Sequence, residues 1–391
     1  MFNHNLIYLD HSSTSPLSED VLETINNTSK YYWGNVSSTY NLGIQCSLEL
    51  EKIRNKIATI FNADSNDVVF TSGATESISL VFNKIFDSFN PASITISSVE
   101  HQATVIASNR LKKNKWKINQ WPVNNEGIVQ ITQINKYINN ETKLVSIIWG
   151  QSEIGTLQPV QKIGKRCHDY GTFFHIDGTQ IISNGIFNWN ELNCDFLSFS
   201  AHKFGGPKGV GILLIKEKAR EFMKNKDISV NQENSIRAGT QPLPLISGIY
   251  PALNNIKGKI ILTDNDVTFK SKRVSKLSEY LLNKLKLNNK IEITGSIEKR
   301  LPNHLSFILL NNKFKPIKAY KVINFMSDNN IAISSGSACS SSSNKPSNIL
   351  SSIGIEKNRL YSNIRLSFNE QNTKDQIDKF YELILKSIDI F

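Results

Sequence analysis

The chain of 391 residues carries 45 Lys and Arg against 34 Asp and Glu, a formal net charge of +11, with 39% hydrophobic and 20% charged residues. That balance is close to the globular average and excludes a wholly disordered chain, a collagen and a disulfide-stapled miniprotein. The most apolar runs, 144–149 and 210–215, have strand length and fall short of the roughly 18 residues of a membrane helix, and the lysines are scattered rather than gathered into a nucleic-acid-binding tract.

In chain order, the first residues, MFNHNLIYLDHSST, lack both a basic and an apolar signal region, so the cytoplasm is the expected compartment. From about residue 47 to 250, apolar strands are predicted at 68–71, 94–97, 144–149, 173–177, 196–200 and 210–215. They alternate with amphipathic helical stretches such as 49–61 and 77–86. This alternation predicts an α/β fold with a largely parallel sheet covered on both faces, and places functional sites at strand ends. Past residue 245 the pattern changes to a long helix over 266–287, strands near 291–293 and 305–310, and a closing helix over 375–388. That is the pattern of a second, smaller α+β domain beginning near residue 255. The four cysteines, Cys46, Cys167, Cys194 and Cys339, form no C-x-x-C pair, so neither a zinc knuckle nor a disulfide framework is expected.

Several segments carry residue types suited to chemistry. Thr71-Ser72-Gly73-Ala74-Thr75-Glu76-Ser77 lies between a strand and a helix. It reads either as an anion cradle at a helix N-terminus or as a plain capping box. His101 follows a strand, where an imidazole can stack on a flat ring and shuttle protons, or simply be structural. Asp177 ends the strand that contains His175 and Ile176; it suits a pyridinium partner or a helix cap. Lys203, at the end of the next strand and before Gly205-Gly206-Pro207, suits a Schiff-base amine or a solvated loop. Cys339 sits in the Ser/Gly-rich stretch 334–343, a flexible setting for a nucleophile or for a cysteine with no task. Arg365, in an alternating strand, suits a substrate carboxylate or an interdomain salt bridge.

As an ordered set these segments resemble the NifS/IscS-type cysteine desulfurases, pyridoxal 5′-phosphate enzymes of fold type I within the class V aminotransferase family. The resemblance runs through Tyr8-Leu9-Asp10, residues 70–76, Glu100-His101, residues 153–159, His175-Ile176-Asp177, residues 200–211, Arg237-Ala238-Gly239-Thr240 and residues 334–339, and so covers nearly the whole chain. It implies a large cofactor-binding domain at 13–255 with a mostly parallel seven-stranded sheet. Residues 1–12 plus 256–391 would then form the small α+β domain carrying the cysteine loop.

By that resemblance, Lys203 carries the cofactor as a Schiff base, Asp177 partners the pyridine nitrogen, and His101 stacks on the ring. Gln180 approaches the ring hydroxyl. Ala74, Thr75, Ser200 and His202 hold the phosphate. Thr240 reaches the phosphate of a neighbouring subunit, which implies a homodimer. Arg365 grips the carboxylate of L-cysteine, Asn35 lies in the substrate region, and Cys339 accepts sulfur as a persulfide while alanine is released. No metal is implied beyond a transient iron–sulfur contact at Cys339. The implied acceptor is an iron–sulfur scaffold or a tRNA-thiolation enzyme.

This chain departs from the family pattern at Ser152, where an Asn usually contacts the ring hydroxyl, at Gly34 to Tyr40, and at Gln241-Pro242. Competing readings are a selenocysteine lyase, another class V enzyme, and a non-catalytic partner-binding scaffold.

Overall fold

The computed structural model describes residues 6–225, 232–263, 266–270, 272–336 and 346–391. The central sheet is built from β1 (Val68–Thr71), β2 (Ser93–Ser97), β3 (Lys117–Trp121), β4 (Thr142–Ile148), β5 (Phe173–Asp177), β6 (Phe196–Ser200) and β7 (Gly211–Ile215), in the order β1-β7-β6-β5-β4-β2-β3. The pairings β3–β2, β2–β4, β4–β5 and β5–β6 are parallel, while β7 runs antiparallel between β6 and β1. Reversing only β7 leaves the other six strands pointing one way, so their carboxyl ends share one edge.

The longer helices are α1 (Glu19–Tyr31), α2 (Asn41–Phe61), α3 (Ala74–Ser88), α4 (Gln102–Lys112), α5 (Val160–Asp169), α6 (Lys272–Lys286), α7 (Ala319–Asp328) and α8 (Lys374–Ile390). Side chains alternate across the sheet, as the period of two requires. Val69, Ile94, Ile96, Leu144, Leu213 and Ile215 face Ile78, Val81, Phe82 and Ile85 of α3 and Leu111 of α4. Val145, Ile147, Ile176, Leu197, Ile212 and Leu214 point the other way, into a core shared with Ile53, Ile57 and Phe61 of α2. Both faces are therefore dry, which is why these strands read as nearly continuous apolar runs.

A second sheet of β8 (Ile291–Ile293), β9 (His304–Leu309) and β10 (Asn363–Ser367) is antiparallel throughout. It packs on Leu281 and Leu285 of α6, Val322 and Met326 of α7, and Ile377, Phe380 and Ile384 of α8. The chain start joins this second core: Ile7–Tyr8 pairs in parallel with Ile331–Ala332, and Ile7 and Leu9 are buried there.

Two elements differ from the sequence reading. Strand β3 was not expected, because Lys117–Trp121 is an edge strand with mostly polar, partly exposed residues and gives little apolar signal. The helix expected over 266–287 begins only at Lys272; Val267–Phe269 instead pairs antiparallel with Ile260–Leu262. β-branched Val267 and Thr268 followed by an aromatic favour a strand over a helix start. Ile260 and Leu262 pack into the first core, which thus extends past residue 255.

A buried ion pair ties α2 and β1 to the segment leading to Thr240. Arg54 donates from Nη1 and Nη2 to Glu233 Oε2 and Oε1 at 2.8 and 3.0 Å, and Phe70 N and Gln241 Nε2 also donate to that carboxylate. Glu233, Asn234 and Ser235 have φ values of 45°, 55° and 61°, a left-handed run that non-glycine residues hold only when neighbours enforce it. Arg54→Ala leaves the Glu233 charge buried and uncompensated. It should cost about 3–5 kcal/mol, seen as a lowered urea midpoint.

Candidate active site

A cavity of about 270 Å³ opens on the edge where the six parallel-running strands end. Ala74, Thr75, His101, Ser152, Asp177, Gln180, Ser200, His202, Lys203 and Arg365 all line it. Ten candidate residues spread over the sequence therefore converge on one place. Ser12, Ser13 and Thr179 line it too, and the sequence reading missed them. The signal was there for the first two, a hydroxyl-rich Ser12-Ser13-Thr14 directly after Tyr8-Leu9-Asp10, but nothing local says what it contacts.

Lys203 closes the single turn Ala201–Lys203 that follows β6. Its Nζ donates to the carbonyl oxygens of Ser12 and Ser13 at 2.7 and 2.8 Å. The same N-terminal segment is bonded back to this turn, with Ser15 Oγ donating to Lys203 O at 3.2 Å and Ser15 N to His202 O at 2.8 Å.

Asp177 is the last residue of β5, almost fully buried, and accepts from Thr179 N at Oδ1, 3.0 Å. It is the only acid among the described residues that line the cavity. Two residues upstream on the same face of β5, His175 is wedged between Ser146 Oγ at 2.8 Å and Ser198 Oγ at 3.0 Å. Burial pulls His175 down to about 4 despite the opposing pull of Asp177, so it is uncharged at neutral pH and does not cancel the Asp177 charge.

His101 is the N-cap of α4, where its Nδ1 accepts from Ala103 N at 3.2 Å. A neutral imidazole bonded this way carries its proton on Nε2. The preceding residue, Glu100, is enclosed, and burial lifts its carboxyl to about 8, with Asp177 adding to the effect.

At the start of α3, Ala74 N donates to Ser200 Oγ at 2.8 Å, joining the helix N-terminus to the end of β6. Gly73 adopts φ +154°, and a side chain there would sit 3.2 Å from Ser200 Oγ. Gly211 backs the same turn; a Cβ on it would fall 2.6 Å from Gly73 Cα. Small residues at both positions let backbone N–H groups line an anion pocket. His202 faces Thr14 Oγ1 at 3.3 Å, and burial, then Lys203 and Lys208, pull it down to about 4. Gln180 Nε2 donates to Ser12 O at 3.0 Å.

Arg365, on β10, comes from the second core to this cavity. Its Nη2 donates to Asp10 Oδ1 and Ser13 Oγ, both at 2.7 Å, and its Nη1 to Ser152 O at 3.3 Å. Asp10 and Arg365 both fall within the expected small domain, so this ion pair is not the interdomain salt bridge of the alternative reading, and it coexists with a place in the cavity wall. Two candidates are not brought in: Asn35 and Thr240 are exposed and do not line the cavity of their own chain. Asn35 Oδ1 instead accepts from Ser37 N at 2.9 Å. Cys339 lies outside the described residues.

A family model for class-V aminotransferases matches residues 7–380. A protein named cysteine desulfurase IscS, from Pectobacterium carotovorum subsp. carotovorum, is 31% identical over 391 residues, covering 98% of this chain and 92% of its own length. The chain belongs to the class-V aminotransferase family. Among solved structures, a NifS-like protein superposes with a TM-score of 0.86 at 27% identity, covering 99% of this chain and all of its own. A structure described as SspA in complex with cysteine gives a TM-score of 0.79 at 25% identity, covering 94% of this chain.

The fold is fold type I, and the cofactor of this family is pyridoxal 5′-phosphate. The residues present fit it. A helix N-terminus and hydroxyls suit a phosphate, a lone carboxylate suits a ring nitrogen, and a lysine amine reaches the same cavity. Ser12 Oγ, Thr179 Oγ1 and Arg365 Nε, all on lining residues, have no hydrogen-bond partner among the described residues and are polar atoms such a ligand can satisfy. Ser200→Ala removes the acceptor of Ala74 N and a hydroxyl beside the anion pocket. It should weaken pyridoxal phosphate binding about tenfold in an absorbance titration, on the scale of one hydrogen bond.

Proposed function

We propose that this protein is a cysteine desulfurase, which takes sulfur from L-cysteine, releases L-alanine and leaves a persulfide on Cys339. One observation carries the reading: Lys203, Asp177, His101, the N-terminus of α3 and Arg365, from five separate segments, wall a single cavity. The near full-length similarity to a protein named cysteine desulfurase and the fold likeness to a cysteine complex support the choice of substrate.

Bound pyridoxal phosphate supplies an electron sink conjugated with the α-carbon of an amino acid. Ala74 N, Thr75, Ser200 and His202 would hold its phosphate, Asp177 its ring nitrogen, Gln180 and Ser152 its ring hydroxyl, and His101 one face of the ring. Lys203 Nζ would anchor the cofactor and, once released by substrate, move the α-proton of cysteine. The planar fork of Arg365 suits the substrate carboxylate. The thiolate of Cys339 bonds to the substrate sulfur as the substrate C–S bond breaks. The bonding pair leaves with carbon, which takes a proton to give alanine.

The two apolar cores support a cofactor-binding domain centred on 13–255 and a smaller domain of 1–12 plus 256–391 that carries Cys339; the 260–269 hairpin and Leu301, Ile349, Leu350, Ile353 and Leu360 pack across that boundary into the first core. The surface supports a homodimer. Tyr31, Trp33, Tyr40, Ile44 and Leu48 are exposed along the end of α1, the segment that follows and the start of α2. Gln232 Nε2 donates to Ser37 Oγ, and Gly239 N to Gln232 Oε1, so the Thr240 segment lies against the segment of Asn35. The two candidates that miss their own cavity thus sit together beside an apolar patch, as residues serving a neighbouring subunit would. The persulfide would go to an iron–sulfur scaffold or a tRNA-thiolation enzyme in the cytoplasm; no described helix is long and apolar enough to cross a membrane.

The holoenzyme should convert L-cysteine to equal amounts of alanine and persulfide sulfur. Lys203→Ala should abolish turnover and the visible absorbance of lysine-bound cofactor. Cys339→Ser should still change its spectrum on adding cysteine, yet deliver no sulfur to an acceptor. A strong preference for L-selenocysteine over L-cysteine would turn the assignment to a lyase. Trp33→Asp should shift the protein from dimer to monomer in light scattering.

A further inference from the structure

Glu100 takes no part in the chemistry above, yet its carboxyl is enclosed directly behind the cavity wall. Oε1 accepts from Ser97 Oγ at 2.5 Å and from Ile148 N at 2.9 Å, while Oε2 has no donor among the described residues. Ser97 is the last residue of β2, Ile148 is the last of β4 and lines the cavity, and Glu100 immediately precedes His101. One carboxyl therefore fastens the loop bearing His101 to the strand end that walls the site.

The geometry suits an uncharged acid. An ionised carboxylate removed from water needs donors on both oxygens, and here one oxygen has none. The elements around it offer a hydroxyl from β2, an amide from β4 and the neighbouring His101, and Asp177, paired in register with Ile148, is the charged group that opposes its ionisation. We propose that Glu100 is a positioning residue that works uncharged, fixing His101 at the cavity wall and leaving Asp177 as the single ionised carboxylate beside the cofactor. This rests on the cofactor reading given under the proposed function.

A consequence follows for pH. The carboxyl titrates near 4.5 in the unfolded chain and about 8 in the folded one. Because the folded value lies above the unfolded one for an acid, the folded state carries a cost that grows as pH rises between those values and then levels off. A glutamine offers the same carbonyl acceptor to Ser97 Oγ and Ile148 N with nothing to ionise; its NH2 takes the unpartnered Oε2 position, a cost that does not vary with pH.

The test compares wild type with Glu100→Gln, Glu100→Asp and Glu100→Ala. In thermal melts of the apoprotein, the stability of Glu100→Gln relative to wild type should be lowest at about pH 5, rise up to about pH 8 and then level off. In the holoenzyme it should keep alanine formation from L-cysteine within about twofold, whereas the shortened Asp and Ala variants, if they fold, should lose about a hundredfold in kcat as His101 drifts. A Glu100→Gln melting offset that is the same at every pH would overturn the proposal, as would a kcat for Glu100→Gln as low as that of Glu100→Asp. The melts need no cofactor, so they decide the charge state even if wild type proves inactive, a result that would count against the cofactor reading alone.

Discussion

The Lys203 ammonium is caught by the carbonyls of Ser12 and Ser13, residues about 190 positions earlier in the chain. A long flexible amine at the end of a strand would otherwise spend its entropy in solvent; here two short charge-assisted bonds hold it over the cavity. The same stretch of chain places Asp10 and Ser13 against Arg365, and Ser367 Oγ accepts from Ser12 N at 2.7 Å. Residues 10–15 are thus the joint between the large sheet, which supplies Lys203, and the small one, which supplies Arg365. Without that joint the two cations that define the cavity would have no fixed relation to one another.

The rest of the site follows from strand direction. With β7 alone reversed, the turns after β1, β2, β4, β5 and β6 all open on one edge, and each contributes to the cavity wall. Electrostatics then sorts the groups. The N-terminus of α3 and the Lys203 side of the site favour an anion, while Asp177 is the one acid among the described wall residues. The buried His175 and the half-buried His202 are both pulled down to about 4, so neither adds a positive charge that would blur this polarity. Glu100, held up at about 8, adds no negative one at neutral pH.

Much of this was legible in the sequence because each local signal coincided with a chain-level one. The strands ending at Thr71, Asp177 and Ser200 are short apolar runs followed by Gly, polar or basic residues, so Thr75, Asp177 and Lys203 could be placed on one edge before any coordinates. Contacts made by long-range closure were not legible. Nothing near Ser12 and Ser13 announces that their carbonyls receive Lys203, and the Arg54–Glu233 pair joins residues 179 apart. Weakly apolar elements failed for a different reason: Lys117–Trp121 is held by β-pairing to Ser93–Ser97 rather than by its own pattern. Asn35 and Thr240 are exposed and do not line this chain's cavity; for Thr240 the resemblance had already implied the phosphate of a neighbouring subunit, whereas for Asn35 it gave only the substrate region.

The central claim is that Lys203 is the amine that holds the cofactor in this cavity. The most direct measurement is borohydride reduction of the pyridoxal-phosphate-loaded protein, followed by proteolysis and mass mapping of the modified peptide. The account predicts a single phosphopyridoxyl adduct on Lys203. An adduct on any other lysine, or none at all, would contradict it.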